Sequence, residues 1–337
     1  MKKESILITG ASGFIGGFLV AEALRQGFEV WAAVRRTSSR ECLTDERIRF
    51  IELDLSDRAA LEARLAAHVA EHGRWDVVVH NAGVTKCRHK DDFMRVNRDA
   101  TAHFASALAA VGAMPRQFVY MSTLSVFGPI HENDGLPYTE DDERCPDTAY
   151  GRSKAAAEDF LASMPGLPYV FIRPTGVYGP HERDYYLMAR SVKGHLDFRA
   201  GLGKQWLTFI YVEDLVNAVF LAIRSGVTRR AYNVADGQTY EATTFSRLLQ
   251  KELGNPLVIR FACPLPLLRL ISFVAEKVAG WFGKSSTLNT DKFRIMRQRN
   301  WRCDTTRLRT ELGFTPRWLL PEGVRDAVAW YKANGWL

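Results

Sequence analysis

Short apolar runs alternate with stretches whose apolar positions recur every three or four residues through the first half of the chain. The runs cover residues 5–9, 29–34, 49–53, 76–80, 117–122 and 169–173, and each predicts a strand. Val77-Val78-Val79 has no polar alternation, which suits a parallel strand covered on both faces. The intervening segments, such as 14–26, predict helices. Alternation of this kind predicts an α/β fold, a Rossmann-like doubly wound parallel sheet.

After Pro174 the pattern loosens. Residues 194–204 read as loop, 206–211 and 232–235 as returning strands around a helix at 212–224, and the last hundred residues as helices with short connections. The expected organisation is a sheet domain over 1–180, rejoined by 206–236, and a smaller, mostly helical C-terminal lobe from 181–205 and 237–337. Internal repeats and low-complexity tracts are absent from the sequence.

The first strand runs into Thr9-Gly10-Ala11-Ser12-Gly13-Phe14-Ile15-Gly16. Three glycines between a strand and a helix leave backbone amides open to close approach, and the helix N-terminus favours negative charge. That combination predicts a site for the pyrophosphate of a dinucleotide.

Composition adds two limits. Forty-seven per cent hydrophobic and 25% charged residues exclude a wholly disordered chain. The net charge of +7 is carried by scattered arginines, which suits an anionic cofactor or substrate and does not require nucleic acid. The five cysteines, Cys42, Cys87, Cys145, Cys263 and Cys303, form no CxxC pair and are expected to be reduced thiols of a cytoplasmic protein. The first residues carry too short an apolar stretch for a signal peptide.

A second constellation is Tyr150-Gly-Arg-Ser-Lys154. Residues four apart share a helical face, so Lys154 is placed to lower the Tyr150 pKa and let the phenol exchange a proton with a substrate alcohol. Met121-Ser122-Thr123 ends a predicted strand, where open α/β sheets bind ligands, and its hydroxyls can reach a reacting oxygen.

Together these segments resemble the extended short-chain dehydrogenase/reductases, the NAD-dependent epimerase/dehydratases. The resemblance runs through Thr9-Gly10-x-x-Gly13-x-x-Gly16, Asp54-Leu55, His80-Asn81-Ala82-Gly83, Val96-Asn97, Ser122-Thr123 and Tyr150-x-x-x-Lys154. It continues in Arg173-Pro174-x-x-Val177-Tyr178-Gly179-Pro180, Tyr211-Val212-x-Asp214-Leu215, Tyr232-Asn233-Val234 and Leu312-Gly313-Phe314-x-Pro316. It implies an enzyme with Thr123, Tyr150 and Lys154 as catalytic residues. The implied cofactor site comprises Gly10, Ser12, Gly13, Phe14, Ile15, Gly16, Asp54, Leu55, Asn81, Ala82, Gly83, Lys86, Asn97, Pro174 and Val177, together with Tyr150 and Lys154. It also implies a homodimer through helices near 99–111 and 150–164, whose alanines serve internal packing equally well.

Within the family, a 4,6-dehydratase would carry Asp-Glu directly after the catalytic threonine; here those places hold Leu124 and Ser125. The apolar stretch 264–283 looks more like the 3β-hydroxysteroid dehydrogenase and dihydroflavonol reductase branches. It favours a secondary alcohol or ketone of an apolar, steroid- or flavonoid-like substrate, with nucleotide-sugar epimerisation and a non-catalytic cofactor sensor as alternatives. The end of the second strand has Val34-Arg35-Arg36 where an acidic residue would select NAD(H), so NADP(H) is favoured over NAD(H). Residues 265–282 are expected to form an amphipathic helix with a stripe of Leu267, Leu268, Ile271, Val274, Ala275, Val278 and Phe282. That stripe is expected to cover the sheet, line the pocket or rest on lipid, in that order, and charges at Arg269, Glu276 and Lys277 argue against a membrane span. His68-Val-Ala-Glu71-His72 has zinc-site spacing but lies where a solvated helix is expected, so no metal is assigned.

Overall fold

The computed structural model describes residues 3–87, 89–281, 286 and 288–337. The chain divides into two compact units. The first comprises Met1–Val126, Ala149–Arg173 and Val216–Tyr232; the second comprises Phe127–Thr148, Pro174–Leu215 and Asn233–Leu337.

The sheet belongs to the first unit except for Pro174 and residues 233–234 at the ends of two strands. Its strands are β1 (Ser5–Thr9), β2 (Glu29–Val34), β3 (Arg49–Glu52), β4 (Val77–His80), β5 (Gln117–Met121), β6 (Tyr169–Pro174) and β7 (Arg230–Val234). The order is β7-β6-β5-β4-β1-β2-β3, a Rossmann-like parallel sheet. From β1 the chain moves outward through β2 and β3, then returns to lay β4 on the other side of β1. The reversal leaves a crevice beyond the carboxyl ends of β1 and β4. Consecutive residues Ile6, Leu7 and Ile8 are all fully buried, as are Val77, Val78 and Val79. Neighbours in a strand point to opposite faces, so both faces of the sheet are covered, as the unbroken apolar runs require.

In the second unit, Phe209–Tyr211 pairs in parallel with Gly176–Tyr178, and Trp206–Leu207 pairs antiparallel with Tyr240–Glu241. The segment expected as one returning strand at 206–211 is thus two strands outside the large sheet. They break at Thr208, whose hydroxyl donates to the Trp301 carbonyl at 2.7 Å. The expected loop at 194–204 contains strand Leu196–Ala200, paired in parallel with Ile259–Cys263. Asp214 accepts the backbone N–H groups of Arg317 and Trp318, each at 2.9 Å. This ties the Tyr211-Val212-x-Asp214 segment to the chain just past Leu312-Gly313-Phe314, where Gly313 ends a helix at φ 64°.

Helix Leu265–Trp281 departs most from its expected role. Leu268 and Ser272 are buried, whereas Leu267, Ile271, Val274 and Val278 of the expected stripe face outward; Phe282 lies outside the described residues. The alanines offered for a subunit contact are also largely internal, with Ala102, Ala105 and Ala155 buried.

Candidate active site

The turn after β1 is built by contacts that admit no side chain. Gly10 has φ 65°, and a Cβ there would lie 2.8 Å from the Ala82 amide nitrogen. A Cβ on Gly16 would sit 2.0 Å from the Gly10 carbonyl oxygen, so the following helix, Phe14–Arg25, can press against the turn only with glycine at that place. Gly13 caps this helix with no side chain to occupy the first-turn amides, and that turn holds no carboxylate. Ser12 and Gly13 are exposed, Phe14 and Ile15 half-buried. A bare, positively polarised helix end of this kind fits a dinucleotide's pyrophosphate.

The wall opposite is Asn81-Ala82-Gly83, at the end of β4. It is held by a buried relay whose direction can be deduced. The Ala82 N–H donates to Thr9 Oγ1 at 3.1 Å, and the Thr101 hydroxyl donates to the Asn97 carbonyl at 2.7 Å. His80 lies between them, with Nδ1 2.8 Å from Thr9 Oγ1 and Nε2 2.9 Å from Thr101 Oγ1. Thr101 has spent its proton, so His80 donates from Nε2, and Nδ1 accepts from Thr9. Burial and the nearby Lys154 charge push His80 down to about 3, which keeps the ring neutral.

Asn97 lies on a π-helical turn, Met94–Asp99, and all its amide groups are engaged. Oδ1 accepts the Val84 N–H at 2.8 Å; Nδ2 donates to the Val84 carbonyl and to Ser153 Oγ, each at 3.0 Å. Ser153 in turn donates to the Tyr150 carbonyl at 2.8 Å. One side chain therefore joins the loop after β4 to the helix that carries Tyr150.

That helix, Ala149–Ser163, brings Tyr150 and Lys154 to the carboxyl end of β5. The Thr123 hydroxyl lies near enough to the Tyr150 phenol to favour its ionised form. Burial nevertheless pushes its phenol up to about 12, so the lowering expected from Lys154 is not the dominant effect. Lys154 is buried, and its Nζ donates to the Met121 carbonyl at 2.8 Å and lies 4.7 Å from the Tyr120 ring centre. Burial brings its ammonium down to about 8, opposed by the Glu158 carboxylate one turn on. A Cβ on Gly83 would come within 3.1 Å of Lys154 Nζ and 3.0 Å of Asn97 Oδ1, so the glycine leaves room for both.

Beneath Lys154 lies a group that the sequence reading did not single out. Glu158 accepts from Ser122 Oγ at 2.5 Å and makes a two-pronged pair with Arg173, at 3.0 Å from Nε and 2.6 Å from Nη2. Both charged side chains are buried. The available signal was position: Glu158 follows Lys154 by four residues, on the same helical face.

The remaining expected residues are more peripheral. Arg35 and Arg36 are exposed past the end of β2, and the Arg35 charge contributes to holding Asp54 low, after that carboxylate's bonds to Ser56. Leu55 is half-buried and Lys86 exposed. Pro174 is buried and Val177 half-buried in the second unit, the latter paired with Ile210. Leu124 is buried and Ser125 half-buried at the places a dehydratase fills with Asp-Glu. His68 does not face solvent as expected: it is buried, stacks 3.9 Å from Trp75 and meets Trp31 edge-on.

Comparison with known proteins places this geometry. The family described as NAD dependent epimerase/dehydratase matches residues 6–235. The dTDP-glucose 4,6-dehydratase of Neisseria gonorrhoeae is 26% identical, over 98% of this chain and 96% of that protein. The ceramide reductase of Caulobacter vibrioides is 27% identical, over 98% and 96%. Among solved structures, the Bordetella bronchiseptica enzyme WbmG, in complex with NAD and UDP, has a TM-score of 0.77 at 21% identity, over 99% of this chain and 96% of that one.

The His80 relay yields a pH prediction. An unfolded histidine titrates near 6.5 and the folded ring near 3, so stability is full above pH 6.5 and falls as pH drops toward 3. One proton contributes a slope of about 1.4 kcal/mol per pH unit. Urea unfolding followed from pH 6.5 to 5 should show a slope shallower by about that amount in His80→Gln than in the unsubstituted protein.

Proposed function

The chain belongs to the NAD-dependent epimerase/dehydratase family of extended short-chain dehydrogenase/reductase enzymes, and on that premise we propose that it interconverts a ketone and a secondary alcohol of an apolar substrate. The observation that carries the redox reading is the placement of Tyr150 and the buried Lys154 one turn apart on one helix, at the end of β5 where Thr123 lies near the phenol. Gly10, Ser12, Gly13 and the helix start Phe14-Ile15-Gly16 would hold the pyrophosphate, Asp54 and Leu55 the adenine side, and Asn81-Ala82-Gly83 with Lys86 the remainder. A bound nicotinamide supplies or accepts the hydride.

The protein's own part is proton transfer and orientation. At neutral pH the Tyr150 phenol is protonated and ready to donate to a carbonyl oxygen as the carbon is reduced. Thr123 orients that oxygen. Lys154, cationic below about pH 8, favours the tyrosinate left behind. Asn97 keeps the Tyr150 helix and the loop after β4 in register.

The apolar substrate is supported by the likeness to a ceramide reductase, and dehydration is opposed by Leu124 and Ser125 in place of an acidic pair. The outward turn of Ile271 and Val274 removes them as a pocket wall. Nucleotide-sugar epimerisation is the second reading, favoured by the likeness to the dehydratase. A screen of apolar ketones and nucleotide sugars separates the two, because only the redox reaction changes the net amount of reduced nicotinamide. NADP(H) preference rests on Arg35, exposed where a 2′-phosphate would lie, while the NAD in WbmG is the observation for NAD(H). A homodimer belongs to the same reading. Its contact would be the hollow of about 630 Å³ between the two helices, lined by Met94, Arg98, Asp99, Ala156 and Phe160.

Tyr150→Phe should lower turnover by about 100 to 10,000-fold while cofactor affinity stays near its original value, since the ring remains and only the proton is lost. Near-normal turnover would refute the assignment. For cofactor choice, titration of both nicotinamides should show tighter NADP(H) binding, and Arg35→Ala should narrow the ratio; an unchanged ratio refutes the role of Arg35.

A further inference from the structure

One helix and one strand pair of the second unit turn large apolar residues outward, while their inward sides mix polar with apolar residues. On helix Leu265–Trp281, the protein-facing side includes Ser272, fully buried and bonded to the Leu268 carbonyl at 2.8 Å. It also includes Glu276, whose carboxylate accepts the N–H and hydroxyl of Thr290 at 2.9 and 2.7 Å. The outward side carries Leu267, Leu270, Ile271, Phe273, Val274 and Trp281, with Leu270 59%, Phe273 51% and Trp281 88% exposed. Leu268 is buried on the inward side, but a helix that merely covered a core would turn most of its large apolar side chains inward as well.

The adjoining strand pair repeats the inversion. Leu196 stands opposite Ile259 and Phe198 opposite Phe261, and all four are exposed on one face. Between them Asp197 points the other way, buried against Ser246 at 2.8 Å. The pair leads directly into the helix through Cys263-Pro264, and Cys263, Leu268 and Phe293 form the small core beneath the junction. The two apolar exposures thus belong to neighbouring elements held on one small core.

Charge identifies what this surface fits. Segments 190–204 and 257–281 hold seven Lys and Arg against two carboxylates; Arg199 and Arg260 share the Asp197 side of the strand pair, while Arg269 and Lys277 are exposed on the outward side of the helix. Those two, Asp197 and Glu276, are the inward-facing groups bonded to Ser246 and Thr290. Lys277 lies within the apolar arc with its ammonium 5.6 Å from the Phe273 ring, a long side chain able to carry its charge out to a headgroup layer. Outward Leu, Phe and Trp with Arg269 and Lys277 among them and no carboxylate on that side match the interface of an anionic bilayer, where apolar side chains enter the acyl boundary and Lys and Arg meet the headgroups. No helix among the described residues is long and apolar enough to cross a membrane, so the contact is lateral.

We infer that the outward face of helix Leu265–Trp281, together with strands Leu196–Ala200 and Ile259–Cys263, seats this protein on the surface of an anionic lipid bilayer. The inference goes beyond the redox reading and does not depend on it, because docking needs neither substrate nor cofactor.

Co-sedimentation of the full chain with phosphatidylglycerol/phosphatidylcholine vesicles tests it. The protein should pellet with these vesicles at least about tenfold more tightly than with phosphatidylcholine alone, and about 1 M salt, which shortens the Debye length to about 3 Å, should weaken the association. Leu270→Ser/Phe273→Ser/Trp281→Ser, and separately Phe198→Ser/Phe261→Ser, should each reduce binding at least about tenfold with the melting temperature preserved, since these side chains are already outside the core. Absence of pelleting, equal binding to neutral vesicles, or unchanged binding in both variants overturns the proposal. So does light scattering in which the triple variant dissociates an assembly that never binds vesicles; the face would then belong to a contact between copies of the chain.

Discussion

The buried pairing of Glu158 with Arg173 is the constraint around which the candidate active site is arranged. It joins three elements at one point: the Ala149–Ser163 helix through Glu158, the end of β6 through Arg173, and the residue following β5 through Ser122. An ion pair removed from water recovers its desolvation cost only when its geometry and hydrogen bonds are nearly complete, as they are here. Net stability is therefore a poor explanation for its presence. Position is a better one. With Glu158 fixed against Ser122, Lys154 falls one turn back on the helix, where its ammonium reaches the Met121 carbonyl, and Tyr150 falls a further turn back, near the Thr123 hydroxyl. The same carboxylate opposes the loss of charge that burial imposes on Lys154.

A second constraint acts from the other side of the crevice. The relay from Ala82 through Thr9, His80 and Thr101 to Asn97 uses every proton in one direction, and Asn97 carries the connection on to Ser153. Buried networks of this kind specify geometry because a half-satisfied version would cost more than an apolar core. The glycines at 10, 16 and 83 complete the arrangement by leaving out atoms, since a Cβ at each would collide with backbone or with Lys154.

Much of this was legible along the chain because it depends on local spacing. The strands at Ser5–Thr9 and Glu29–Val34, the glycine turn and the Tyr150-x-x-x-Lys154 pair all reveal themselves within a few residues. Glu158 was missed although it continues the same helical face, because its partner Arg173 lies on another element. The orientation of helix Leu265–Trp281 was misread for a related reason. Apolar residues occur on most of its circumference, and its inward side is where Leu268 packs with Cys263 and Phe293 and Glu276 meets Thr290, fourteen residues away. Strand Leu196–Ala200 similarly exists through its pairing with Ile259–Cys263, a partner that local composition does not announce. The Tyr150 phenol was expected to be lowered by Lys154; burial raises it instead, and the lowering comes from Thr123, a balance that only the packed environment sets.

The claim that buried charge organises the catalytic helix is tested most directly on Lys154 itself. Its protonation can be followed by NMR of isotopically labelled lysine, assigned with Lys154→Met, in the unsubstituted protein and in Glu158→Gln. Lys154 should lose its proton near pH 8, well below surface lysines, and at lower pH still once the Glu158 charge is removed. Titration near 10.5, or a midpoint indifferent to Glu158, would contradict the account.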